Sequence, residues 1–434
     1  MTGNEQRIKR IRGRQVWDSR GRPTVEAEIQ CVDGTIGRAI APAGASTGSG
    51  EAVDLRDGKT QDGGLGVTRA VDNINTIIGP ALSGRSIADQ KELDQCLIDL
   101  DGTPNKSRLG GNTTIAVSMA ALHAAANTLN LAIWEYLLEQ QPAVLPLPEI
   151  QIFGGGAHAG GRIDIQDFMV VPVGARTFSE ALSWVAAVYH AAGTRMKRAG
   201  KLVGVADEGG YWPSFDTNEE ALEFLLRAIE DTGHAPGDDV AISIDVAATE
   251  FHRNGRYQLA LESHDLDSDA LSELLIGWVD RYPIVSVEDP LAEDDHAGMQ
   301  RFTAAVGHRI QVIGDDYLVT NADRVIQASQ MNACNALLVK PNQAGTVTET
   351  YAALVAAQQA DFGIIASARS GETEDVTIAH LSVGWNTGQL KVGSFARSER
   401  MAKWNELLRI EDRLGDKASF AGAGALERNK RWSP

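Results

Sequence analysis

The chain has 434 residues, 43% of them hydrophobic and 23% charged, and a formal net charge of −18. That length exceeds one ordinary core and suits two domains, or a large barrel with an extension. The negative charge argues against nucleic acid or an anionic membrane as partner, because both would repel it.

The opening MTGNEQRIKRIRGRQVWDSRG lacks the apolar core of a secretory leader, and no stretch approaches the ~18 apolar residues of a membrane span. A cytoplasmic protein is expected. TVEAEIQCVDGTIGRAIAP alternates about a central Asp-Gly turn and predicts an antiparallel hairpin. The Gly/Ser-rich APAGASTGSGEAVDLRDG that follows reads as a loop able to close over a ligand. NTTIAVSMAALHAAANTLN is Ala-rich and apolar enough for a buried helix. The proline-containing QPAVLPLPEI, residues 141 to 150, reads as a domain junction. The three cysteines, Cys31, Cys96 and Cys334, are odd in number and far apart. They argue against a disulfide framework or structural zinc and for a reducing compartment.

Beyond residue 141 a rhythm sets in. IDIQDFMVVPV, LVGVADEGG, VAISIDVA, PIVSVEDP, RIQVIGDD, NALLVKPNQ, FGIIASARSG and LKVGSFARS are apolar runs ending in charged or small polar residues. Most are separated by amphipathic helical stretches such as NEEALEFLLRAIEDTG. Alternating strands and helices imply a mostly parallel sheet, and this number of units suits a (β/α)8 barrel. No GxGxxG follows an early strand to favour an open, doubly wound sheet. The fold expected is therefore α/β, with an N-terminal α+β domain over 1–141 and a barrel over 142–434.

In such barrels the chemistry sits at the C-terminal ends of the strands, where the charged residues fall. Asp245, Glu288 and Asp315 each close a strand. Three converging carboxylates repel one another unless a cation sits among them, and hard oxygen donors without His or Cys favour Mg²⁺ over zinc. The plainer account is that each caps the next helix. Lys340 and Lys391 end later strands. A partly desolvated lysine beside Mg²⁺ has a lowered pKa and suits a general base, and the second could hold a substrate carboxylate. Glu208, before a di-glycine, suits a general acid, and Arg369 with Ser370 suits an anion. His158 lies in a glycine-rich loop, GGGAHAGG, and carries little weight alone.

The motifs WDSRGRPTVEAE, GASTG, HAGG…IDIQDFM, DEGGY, SIDVAATEF, VSVEDPL, IGDDYLVTN, VKPNQAGTVTET, RSGETED and GQLKVGS…RSERMAKWNELLRIE run along nearly the whole chain. In that order they resemble the enolase family. The resemblance implies an N-terminal α+β domain capping a modified barrel, two Mg²⁺ ions, and a homodimer or a higher assembly of dimers. It also implies removal of the proton α to a carboxylate, the enolase-superfamily chemistry that uses a Lys or His base with Mg²⁺. Residue by residue, Asp245, Glu288 and Asp315 match the ligands of the first metal, and Ser46 the loop serine at the second. Lys340 matches the base and Glu208 the acid. Lys391 matches the carboxylate-side lysine, Arg369 and Ser370 the phosphate binders, and His158 the loop histidine that closes toward the phosphate.

Four positions depart from the family pattern. Ala368 replaces a histidine in SARSGETED, and Asp167 is one methylene shorter than the usual glutamate partner of the acid. Gly154 replaces an asparagine and Ala43 a serine. All four fall in motifs around the substrate, while the metal ligands, base and acid remain. The leading expectation is thus a dehydratase of the carboxyphosphonoenolpyruvate synthase type. It would convert 2-phosphonoformylglycerate in phosphonate or phosphinate antibiotic biosynthesis, with Ala368 making room for the extra carboxylate. The alternative is a glycolytic enolase acting on 2-phosphoglycerate, and a third reading is an inactive relative kept as a binding protein.

Overall fold

A computed structural model describes residues 6–58, 61–138 and 141–427. The N-terminal part is a three-stranded antiparallel sheet in the order β1 (Ile8–Trp17), β2 (Pro23–Cys31), β3 (Ile36–Ile40). The hairpin expected around Asp33-Gly34 is β2–β3, and Gly34 takes the positive φ of +93° that its turn requires. The Ala-rich helix α1 (Gly111–Thr128) is buried along most of its length and lies on this sheet. Its small residues permit a close approach. A Cβ added at Gly37 would sit 2.1 Å from the Ala120 carbonyl oxygen, so the strand can pass there only as glycine.

Eight strands close the barrel: β4 (Leu147–Gly154), β5 (Asp167–Val171), β6 (Ala241–Asp245), β7 (Ile284–Glu288), β8 (Gln311–Gly314), β9 (Ala336–Val339), β10 (Gly363–Ser367) and β11 (Gly388–Gly393), with β11 pairing β4. The segment read as a junction leads directly into the first barrel strand, since Leu147–Gly154 is buried throughout. One expectation is corrected here. LVGVADEGG does not enter the barrel; Leu202–Val205 forms an outer hairpin with Tyr211–Pro213, and Leu202 and Val203 stay exposed. The sheet is also not wholly parallel. β5 runs antiparallel to both neighbours, because the loop from β4 to β5 contains only a single 3-10 turn, with no crossover helix to bring the chain back in parallel.

Helices pack outside. Those at Phe178–Ala199, Asn218–Asp231 and Val347–Gln359 each follow a threonine, Thr177, Thr217 or Thr346, whose hydroxyl accepts from the backbone N–H of a glutamate three residues on. The loop after β3 then crosses to the C-terminal ends of the barrel strands. Ala43 and Gly371 exchange backbone hydrogen bonds of 3.0 and 2.8 Å, and Ala52 N–H donates to the Gln343 carbonyl at 2.8 Å. Ser19 N–H donates to the Glu372 carbonyl at 2.8 Å. The N-terminal sheet is in this way tied over the mouth where the charged residues end their strands.

Candidate active site

Strand register sets the floor of the site. Asp245 is paired with Asp167 on one side and Glu288 on the other, so three carboxylates stand at one level. Lys391, on β11, reaches across the barrel to them. Its ammonium donates to Glu288 Oε2 at 2.7 Å and Asp245 Oδ2 at 2.9 Å, and lies 3.4 Å from Asp167 Oδ2. Burial disfavours its charge, but Asp245 and Glu288 outweigh that and hold its pKa well above the usual lysine value.

Lys340 follows β9 and bonds Asp315, which follows β8. Burial works against this ammonium too, yet Asp315 raises its pKa. The lowered lysine pKa expected from the sequence is therefore not what the chain's own groups produce, because a carboxylate stands where the sequence reading placed a cation's influence. Asp315 is oriented by Gln343 Nε2, which donates to its Oδ1 at 2.8 Å. Behind it, the Asp289 carboxylate accepts the Asp315 and Asp316 backbone N–H groups at 3.0 and 2.7 Å. Burial, then Asp315, pushes Asp289 up to about 8.

On the opposite wall His158 is buried. Its Nδ1 stands 3.0 Å from Asp167 Oδ1, and its Nε2 stands 3.0 Å from Ser370 Oγ and 3.6 Å from Glu208 Oε1. Burial opposes charge on the ring, but Glu208 and Asp167 push its pKa up to about 9. Asp167 is held low by His158 and Lys391 against the effect of burial. The expected partnership of Asp167 with Glu208 thus runs through His158, and Gln151 also donates to Asp167. The shorter aspartate reaches an imidazole, and that imidazole faces Glu208.

Arg369 is buried and donates twice to Glu51, at 3.0 and 3.2 Å, and once to the Ser46 carbonyl at 3.0 Å. Ser370 Oγ accepts from Ala45 N–H at 3.3 Å. These bonds pull the Ser46 loop down onto the Arg369–Ser370 segment. Gly44 must be glycine for this fit, since a Cβ would lie 2.0 Å from Arg369 Nη2. Ala368 donates its N–H to the Lys391 carbonyl at 2.9 Å, and its side chain lines the cavity beside Arg369 and Ser370. At Gly154, an added Cβ would lie 2.6 Å from Ala206 Cβ, so an asparagine there would displace the Glu208 loop.

Ser46, His158, Glu208, Lys340, Arg369 and Lys391 all line one cavity, which leaves about 10 Å³ for the centre of a water molecule, room for one. Glu288 and Asp315 stand behind it, against the two lysines. Three contributors were missed in the sequence. Glu51 sits in the Gly/Ser-rich loop and pairs with Arg369. Fully buried Arg400, in the quoted RSERM segment, donates to the Arg369, Ser370 and Val392 carbonyls. Gln166 donates to Asp245 Oδ2 at 3.0 Å.

The donor set suits a hard divalent cation. Asp245, Glu288 and Asp315 offer only oxygens, and Glu288 Oε1 is buried without a hydrogen-bond partner among the described residues. Burial and Asp245 push Glu288 well above the usual carboxylate range, although Lys391 works against them. Among the described residues, the clusters with ligand atoms within 4.8 Å of one another are His158–Asp167–Glu208 and Asp289–Asp315–Asp316. The expected trio stands instead around the two ammonium groups.

A closed α/β barrel with carboxylates, two buried lysines and an arginine–serine pair at one mouth is the arrangement the sequence resemblance led us to expect of a carbon–oxygen lyase of the enolase type. Residues 142–429 match the family model for the enolase C-terminal TIM barrel domain, and residues 8–137 match that for the enolase N-terminal domain. The chain is 49% identical over 423 residues to Enolase 1 of Desulfitobacterium hafniense (strain Y51), covering 97% of both chains. It belongs to the enolase family. Among the described residues no helix is long and apolar enough to cross a membrane.

Proposed function

We propose that this chain dehydrates 2-phosphoglycerate to phosphoenolpyruvate. The observation that carries the reading is that Lys340 and Glu208 enter one narrow cavity together with Arg369, Ser370 and Lys391, the groups suited to holding an anion. The 49% identity with a protein named Enolase 1, over almost all of both chains, supports this substrate over the phosphonate expected from the sequence. One observation favours the second reading. Ala368 lines the cavity directly beside Arg369 and Ser370, where 2-phosphonoformylglycerate would carry its extra carboxylate.

In this proposal Lys340 takes the C2 proton and Lys391 faces the substrate carboxylate. Arg369 and Ser370 hold the phosphoryl group. Glu208 gives a proton to the departing C3 hydroxyl, and His158, steadied by Asp167, closes that wall. Asp245, Glu288 and Asp315 would hold one Mg²⁺ and Ser46 would help hold a second. When bound, the ions supply positive charge against the carboxylate as its α-proton leaves. The cavity as it stands is too small for substrate, so the Ser46 and His158 loops must open for entry. Residues 1–141 cap the catalytic 142–434. A homodimer is our reading of the assembly, supported by exposed Leu202 and Val203 on an edge strand; a monomer mass by light scattering would reject it.

Purified protein with Mg²⁺ is expected to turn over 2-phosphoglycerate efficiently and to lose that activity on chelation. Turnover confined to 2-phosphonoformylglycerate would establish the second reading instead. Failure to eliminate water from either, with no exchange of the C2 proton, would leave a binding protein.

A further inference from the structure

Below the ring of charges the barrel interior has two unlike sides. One is apolar, where Ile313, Ala336, Leu338 and Ile365 form their own buried cluster. The other is polar and takes no part in the chemistry above. Glu149, on β4, is 1% exposed and in register with Lys391. Its Oε2 accepts from Ser243 Oγ at 3.2 Å, and Ser286 Oγ donates to Ser243 Oγ at 2.7 Å. Ser286 is in register with Gln311, which lines a pocket of about 380 Å³ at the opposite end of the barrel, beside His308 and Arg309, and whose amide reaches over Gly363 at the foot of the apolar side.

Along this path buried atoms lack partners. Glu149 Oε1 and both amide atoms of Gln311 and of Gln389 have no hydrogen-bond partner among the described residues. Gln389 lies one inward-facing position below Lys391 on β11. A buried amide needs a donor and an acceptor at once. A cation cannot satisfy its N–H groups, and an anion cannot satisfy its carbonyl. Water is the small ligand that does both.

We propose that ordered water occupies the polar side of the barrel from Gln311 to Glu149, and that Glu149 exchanges its proton with solvent through it, acting as a positioning residue for Lys391. The carboxyl O–H gives its proton to an adjoining water as that water passes one on, and the excess proton leaves at the lower mouth. The reverse passage restores the acid. Burial pushes the Glu149 carboxyl up to about 7, with Lys391 lowering it and Asp245 raising it. Lys391 also faces Glu288 and Asp167, and Glu208 acts on it from farther away. The charge beneath Lys391 therefore changes near neutrality, and with it the pull on the ammonium that faces the substrate.

The effect on Lys391 rests on the function proposed above; the water and the proton exchange do not. A high-resolution crystal structure of the wild-type protein should show water oxygens within hydrogen-bond distance of Glu149 Oε1 and of both amides. In ¹³C-glutamate NMR one carboxyl should titrate near pH 7 and vanish in Glu149→Gln. That isosteric variant should keep the water and lose a near-neutral inflection in the pH profile of KM for 2-phosphoglycerate, with kcat changed less. A dry interior, or a wild-type spectrum without that carboxyl, overturns the proposal. An unchanged KM profile in Glu149→Gln overturns the positioning role. Absence of 2-phosphoglycerate turnover would defeat the functional reading while the crystallographic and NMR results still decide this one.

Discussion

The two buried lysines at the mouth are alike in burial and unlike in company. Lys391 has three carboxylates within 3.4 Å, whereas Lys340 bonds one, Asp315. A lysine drawn on by three anions stays charged and is suited to meeting an anionic substrate. A lysine with a single partner is freed as soon as that partner is engaged elsewhere, which is what a proton acceptor requires. The difference arises from topology. β11 lies beside β4 in the closed barrel and points its lysine over the Asp167–Asp245–Glu288 level, while β9 is flanked by β8 and β10, which bring Asp315 alone within bonding range.

The sharpest way to break this contrast is to remove each lysine in turn. Lys340→Ala is expected to abolish exchange of the C2 proton with solvent and to lower turnover by on the order of 10³-fold, the range for loss of a positioned general base. Lys391→Ala should raise KM while leaving exchange measurable at saturating substrate. Exchange surviving in Lys340→Ala and lost in Lys391→Ala would reverse the two roles. Next in size, Glu208→Gln should cost about 10²-fold or more in elimination while sparing exchange, because the acid acts after the C–H bond breaks. Loss of both activities in that variant would merge the two steps.

How much of this was legible in the sequence follows the same division. Strand ends bearing Asp245, Glu288, Lys340 and Lys391 announced themselves, since an apolar run closing on a charge is visible in one dimension. The Leu147–Gly154 strand did not, because prolines at 146 and 148 read as a boundary and no alternation survives in a strand buried on both faces. LVGV misled in the opposite sense. Its residues are as strand-like as any, and only the lack of a partner beyond Tyr211–Pro213 keeps it outside the barrel. Partnerships across the site were invisible for a further reason. Glu51 and Arg369 are 318 residues apart, and no local pattern reports which cation a loop carboxylate will meet. The insertion of His158 between Asp167 and Glu208 likewise depends on side-chain reach in three dimensions.

That insertion gives a pH signature on the side of the mouth opposite Lys340. His158 has a folded-state pKa of about 9, above the ~6.5 of an unfolded chain. Its charged pairing therefore contributes stability that is fully present below about pH 6.5 and is lost as pH rises through about 9. The contribution is on the order of 3 kcal/mol for a shift of that size in a buried group. Chemical denaturation of the wild type should show this decline across that window. Asp167→Asn should flatten it and lower the imidazole midpoint seen by NMR. An unchanged midpoint would mean that Glu208 alone sets the charge of His158.

The smallest expected effect concerns Ala368, which sits between the two sides, bonded through its N–H to the Lys391 carbonyl and next in sequence to Arg369. Its methyl group lines the cavity without a polar contact of its own, so it contributes space in place of binding. Ala368→His would fill that space beside Arg369 and Ser370. If the gap accommodates a substituent on phosphorus, the imidazole should shift the ratio of kcat/KM values toward 2-phosphoglycerate by about tenfold, the scale of one well-placed or one obstructed contact. If 2-phosphoglycerate is the natural substrate and the gap is simply unused, the ratio should hold while both values fall together. The readout is therefore the ratio, because a cavity this tight makes some loss of absolute rate the expected result of any added ring.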